Sequence, residues 1–240
     1  MKPINRREFS HQFLGAISGF ALMESLFYTN AFAKTVRPIT DHWAIRLNEF
    51  CRDLQLKSIT LPQWQSQVEE LYREIALEEL LEFIDFKKLI KGFQYPDLGV
   101  NARMVHFPTL TGLPDKTVYY KKIIGMKKDR AIIPHGHSHM ASAHLIINGE
   151  FQLRHYEKIR QEGQHLIIKP SIDKVAKLGD CSSISDEKDN VHWFVANTVT
   201  AFTFDVIMLD LNNQKYDIHN LDIYEQQKVG DGQFKGRMHI

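Results

Sequence analysis

Between residues 133 and 140 the chain reads Ile-Pro-His-Gly-His-Ser-His-Met, with three histidines at alternating positions. In an extended strand, residues two apart share a face, so His135, His137 and His139 can all point the same way. Neutral imidazole nitrogen is a good ligand for iron, zinc, nickel and copper. Two histidines at this spacing, joined by a third from a distant strand, make a compact facial site for one divalent ion. His192, within Asn190-Val191-His192-Trp193-Phe194, is the candidate third ligand. Of the 12 histidines, seven fall between 135 and 192. Histidines also cluster by chance, and a buried one is commonly hydrogen-bonded core. The pair, the preceding Pro134, a hairpin at a fixed distance and a later strand histidine together favour metal binding. Ser182, Ser183 and Ser185 have no nucleophile-elbow glycines around them, so a serine nucleophile is not indicated.

These residues must be placed by strands. Residues 102–107, 117–126, 130–134, 141–147, 150–159, 164–169, 180–184, 191–197 and 200–210 are short and rich in Val, Ile, Phe, Tyr and Thr. Gly, Asp, Asn and Lys separate them, which is a strand pattern. Asn148-Gly149 is the strongest hairpin signal in the chain. Many short antiparallel strands predict a mainly β sandwich or closed barrel. The preceding stretch, 41–93, has a helical period. Trp43, Leu47, Phe50 and Leu54 recur at helix spacing, and Thr60 before Pro62 reads as a helix start. Residues 211–240 are polar and predict one more strand or a tail lying over the barrel. The domain plan is thus 1–33 leader, 34–100 helical segment and 101–240 barrel with tail. At 43% hydrophobic, 25% charged and net charge +1, the chain is an ordinary globular protein with no basic tract for nucleic acid.

His135-Gly136-His137, followed by Gly149, resembles the first motif of the cupin superfamily, and His192 with Asn197 resembles the second. The resemblance implies a cupin-type double-stranded β-helix (jelly-roll) barrel, with His135, His137 and His192 as metal ligands. The competing pair, His137 with His139, places no glycine at the family distance. Where many cupins carry a glutamate, this chain has Ser142, which leaves a three-His site. Three-His cupins include the thiol dioxygenases. Met140, Leu153-Arg154-His155-Tyr156-Glu157, Val191–Ala196 and Phe204-Asp205-Val206-Ile207 resemble the cysteamine dioxygenase and plant cysteine oxidase branch. Ser138 and Trp193 depart from that branch.

What the resemblance implies is one divalent ion, Fe(II) foremost with Zn, Ni or Mn as alternatives, acting on a small substrate and dioxygen. Tyr156 and Asp205 are then the candidate catalytic residues and Tyr119 a further candidate beside the ligands. Arg103 and Arg154 are candidates for a substrate carboxylate. The competing readings are a non-catalytic metal- or ligand-binding sensor cupin, and a Zn, Ni or Mn isomerase or hydrolase on the same barrel.

At the N-terminus, Asn5-Arg6-Arg7-Glu8-Phe9 resembles a twin-arginine export signal. A mildly apolar stretch from Phe13 to Phe27 and Ala31-Phe32-Ala33 follow, giving a cleavage-site spacing. The expectation is export by the twin-arginine translocase to the periplasm, with no membrane span in the mature form. Cys51 and Cys181 are the two cysteines, expected to be unbridged buried residues. A homodimer through edge strands is the expected assembly.

Overall fold

The computed structural model describes residues 39–96 and 99–239. The expected leader, 1–33, lies outside them. Among the described residues no helix is long and apolar enough to cross a membrane. Among the described residues four helices come first: α1 (Ile39–Gln55), α2 (Leu61–Glu74), α3 (Leu77–Phe83) and α4 (Phe86–Ile90). α2 begins where its sequence predicts. The Gln63 amide donates to Thr60 Oγ1 at 3.3 Å and the Thr60 amide donates to Gln63 Oε1 at 2.8 Å, a reciprocal cap. Pro62 sits in the first turn, where a missing amide costs nothing.

The strands are β1 (Asn101–Met104), β2 (Tyr120–Lys127), β3 (Ala131–Ser138), β4 (Ala141–Asn148), β5 (Phe151–Glu162) and β6 (His165–Ala176). After them come β7 (Cys181–Ser185), β8 (Val191–Ala196), β9 (Thr200–Met208), β10 (Asp217–Gly230) and β11 (Gln233–His239). One sheet runs β1-β2-β9-β4-β7. The other contains β3-β8-β5-β6, and β11 and β10 continue it until β10 meets β3 and closes the ring. From β2 to β9 successive strands switch sheets at every step except β5 to β6. That is the order of a double-sheet jelly roll, so the chain is a mainly β, double-stranded β-helix barrel with an N-terminal helical segment.

The tail forms a pair of strands rather than one strand or a loose cover. Asp217–Asn220 pair with Ser138–His135, and Phe234–Arg237 pair with Ile168–His165. Its sequence hides this because the buried apolar side chains Leu221 and Met238 are too sparse to set a period of two.

Alternation explains why β4 is buried on both faces. Ala141, Ala143, Leu145 and Ile147 join Phe202, Phe204 and Val206 of β9 against Trp43, Trp64, Val68, Leu71 and Tyr72 of the helices. The in-between residues Ser142, His144 and Ile146 face the other sheet. One end of the inter-sheet space is filled by Ile124, Met126, Phe151, Leu153 and Phe194. Cys51 and Cys181 are free thiols, Cys51 buried in the helix-facing core.

The Asn148-Gly149 turn carries a close approach as well as a bend. Gly149 has φ +71°, and a Cβ there would collide with Thr198 Oγ1 and come within 2.5 Å of the Thr200 carbonyl oxygen. Gly163 has φ +60° but open space around it. Gly149→Ala is therefore expected to cost on the order of 3 kcal/mol and Gly163→Ala about 1 kcal/mol, read by urea unfolding. Equal losses would show that the β4–β5 turn is not packed against the β8–β9 connection.

Candidate metal centre

His135 of β3 and His192 of β8 lie directly opposite each other in their antiparallel ladder, which is bulged just before them, between Ile132 and His135. His137 follows two residues on, on the same face. The three imidazoles converge. His192 Nε2 is 3.0 Å from His135 Nε2 and 3.3 Å from His137 Nε2. All three residues are buried.

Asn190 holds this strand in place. Its side-chain amide donates to the His137 carbonyl at 2.9 Å and the Ser185 carbonyl at 3.1 Å, and its Oδ1 accepts from the His137 amide at 3.4 Å. Ser185 in turn donates to Gln65 of α2 at 2.7 Å, so a helix is tied to the ligand strand through polar contacts. Between the histidines, a Cβ on Gly136 would sit 2.7 Å from His219 Nε2 and 2.9 Å from Asn190 Oδ1, leaving room only for glycine.

The electrostatics suit a cation. Burial, reinforced by the other histidines, pushes His135 down to about 4 and His137 to about 2, and holds His192 well below its ordinary value. All three are thus neutral at pH 7. His135 Nδ1 lies 2.7 Å from the Ile133 carbonyl oxygen, to which it donates, so its Nε2 presents a bare lone pair. His137 Nδ1 lies 3.4 Å from the Tyr216 hydroxyl, whose ring stacks on the imidazole. Three neutral imidazole nitrogens about 3 Å apart around one point are arranged to share one cation. Donors that share one ion with metal–nitrogen bonds of about 2.1 Å have that separation. The three histidines therefore form a site that can hold a divalent metal ion.

The site opens on a cavity of about 400 Å³ walled by Ile124, Ile132, Ile184, Ile207, Leu209 and Met140, among others. Ser142 lines it, its buried hydroxyl without a hydrogen-bond partner among the described residues. Asp205 also lines it, with Oδ1 3.2 Å from His144 Nδ1.

Other expected site residues lie elsewhere. His139 terminates β3 at φ +62°, with its amide donating to Asp186 Oδ2 at 2.7 Å, so it turns away from the centre. Tyr156 does not reach the cavity. It pairs with Val191, the outward neighbour of His192, and packs with Leu166, Leu221 and Met238 behind the sheet. Side chains alternate, so a residue next to the inward-facing His155 must point the other way. Tyr119 packs in the helix-facing core. Arg103 donates to the carbonyls of Leu89, Lys91 and Gly92 at the end of α4. Arg154 pairs with Asp173 and lies over the Trp193 ring. Neither arginine lines the cavity.

Sequence reasoning missed Tyr216, Asn190, Lys122 and His144 as members of the site. His144 carried a usable signal, since it stands two residues after Ser142 in the same strand. Tyr216 carried none, lying in a polar tail.

No family model matches this chain, and no curated protein matches it. Solved structures resemble it in part. KdgF from Halomonas sp. matches 49% of this chain and 86% of its own, at 14% identity and TM-score 0.33. Oxalate oxidase in complex with glycolate matches at 12% identity and TM-score 0.36, over 51% of this chain and 56% of that one. A double-stranded β-helix protein from Klebsiella pneumoniae matches at 15% identity and TM-score 0.33, over 53% and 86%. Each takes in about half of this chain, and the strand order above is what defines the fold.

His155 completes the interior row. It pairs with His192 across β5 and β8, is fully buried, and neither ring nitrogen has a hydrogen-bond partner. Burial, with a smaller contribution from His144, pushes it down from 6.5 to about 3. Below pH 6.5 the unfolded chain takes up a proton there and the folded chain does not, so stability falls as pH drops from 6.5 toward 3. By pH 5 this one residue costs about 2 kcal/mol relative to pH 7.5. His155→Phe should unfold less steeply with acid over that window, measured by denaturant midpoints at pH 7.5 and 5. An identical pH slope in the variant would remove His155 as a source of acid sensitivity.

Proposed function

We propose that this protein is a metal-dependent cupin whose three-histidine centre supports non-haem iron dioxygenase chemistry on a small substrate, with thiols the leading substrate class. The observation that carries the reading is the convergence of the His135, His137 and His192 Nε2 atoms on one point, at 3.0 and 3.3 Å, beside an apolar cavity. Fe(II) held there would supply polarisation and a template for substrate and dioxygen.

The chain's own residues do the rest. Ile133 and Tyr216 fix the rings of His135 and His137, as outer partners of metal-binding histidines do. Ser142, in place of a carboxylate, leaves the ligand set neutral, which favours anionic or bidentate partners at the remaining positions. The apolar walls exclude water. Asp205 keeps its place on the cavity, held against His144, while the role once open to Tyr156 passes to Tyr216, whose hydroxyl is beside a ligand ring. In this reading the chain is exported to the periplasm on its Arg6-Arg7 leader.

Protein purified from its native compartment is expected to hold about one iron per chain by elemental analysis. It should consume oxygen on addition of small thiols. His192→Ala should lose more than nine-tenths of the metal while keeping its far-ultraviolet circular dichroism. Metal-free wild-type protein, or a variant that retains metal, would sink the reading. Full metal occupancy with no oxygen uptake would instead mark a binding or sensor protein.

A further inference from the structure

Opposite the histidines runs a second row of polar side chains. Strand register sets Lys122 of β2 against Asp205 of β9, and Asp205 against His144 of β4. All three line the cavity. They are not equally available. The Asp205 carboxylate oxygens are sealed from solvent, and its charge already has His144 Nδ1 at 3.2 Å. An amine entering the cavity does not reach them. Lys122 is half-buried, and its ammonium forms no hydrogen bond or ion pair among the described residues. Its charge is felt at both His135 and His137.

The rest of the wall is largely apolar, with Ile124, Ile132, Ile207, Met140 and Leu209 among its residues. A half-buried ammonium with no partner, set among apolar walls, interacts more strongly with an opposite charge than it would in water. A pocket of about 400 Å³ with one such group and apolar walls selects a small molecule by its charged end and its hydrocarbon body.

We propose that the cavity takes a small organic acid, its carboxylate paired with Lys122 and its apolar body against Ile124, Ile132 and Ile207. This rests on the cavity being the substrate site of the three-histidine centre. Lys122 is then the specificity-determining residue, and a divalent ion at the histidines adds positive charge that further disfavours a cationic substrate.

The test is calorimetric titration of the full protein with hexanoate, hexanol and hexylamine, three probes of one chain length. Each is run on metal-loaded and chelator-stripped samples whose metal content is measured. Hexanoate is expected to bind at least tenfold more tightly than either other probe. Lys122→Met should bring hexanoate down to the level of hexanol and leave hexanol unchanged. Lys122→Arg should keep the preference. Tighter binding of hexylamine, no measurable hexanoate binding, or a preference that survives Lys122→Met overturns the proposal. A preference lost only on metal stripping assigns the carboxylate to the metal and overturns it as well. A chain that holds no metal yet keeps the Lys122-dependent preference would defeat the metal reading and leave this one standing.

Discussion

Three desolvated imidazole nitrogens held about 3 Å apart are the constraint on which this structure turns. Left to itself such a cluster disperses, because burial removes water from each ring and leaves ring nitrogens short of partners. The fold holds it by register. The β3–β8 ladder sets His135 opposite His192, and Asn190 fixes the backbone of His137 from both its amide and its carbonyl. Gly136 admits Asn190 and His219 to the back of the strand. The energy that sustains this lies outside the site, in the packing of helices and hairpin against the two sheets.

Each sheet has a covered outer face, for different reasons. Helices α1 and α2 cover the sheet containing β4 and β9, burying Trp64, Leu71, Tyr72 and Phe204. The β10–β11 hairpin closes the other sheet into a ring and encloses Tyr156, Val191, Leu221 and Met238. Only the inner space between the sheets remains. Phe151, Phe194 and Met126 fill one end of it, and the histidines and the cavity occupy the other. The same hairpin that completes the ring begins just after Tyr216, so closing the barrel also delivers a hydroxyl to His137.

The charge pattern of the interior follows from where carboxylates are and are not. Ser142 lines the cavity without a charge, and the acid the cavity does carry, Asp205, has His144 as its partner. The histidine face therefore carries no charge of its own, and Lys122 lines the same cavity as a cation. Five inward histidines, His135, His137, His144, His155 and His192, are buried. Burial holds His135, His137, His155 and His192 neutral, so protonating them in acid works against the folded state.

Much of this was legible in residue types and spacing. The period-two apolar runs defined nine strands, Asn148-Gly149 marked the tightest turn, Thr60 and Pro62 marked a helix start, and His135-Gly136-His137 with His192 named the three residues that converge. These signals are local, or depend on side chains alternating across a strand. What they could not decide is which face of each strand looks inward and what covers the other face. Tyr156 seemed a site residue from its neighbours in sequence, yet alternation from His155 turns it outward. Lys122, Asp205 and His144 lie far apart along the chain and become neighbours only through the β2–β9–β4 register. Tyr216 and the closing hairpin depend on long-range pairing of half-exposed polar strands, whose stability comes from partners rather than from their own sequence. The three converging histidines were therefore set by sequence, whereas the surroundings that orient them were decided by the tertiary fold, because strand register and coverage are properties of pairs of segments.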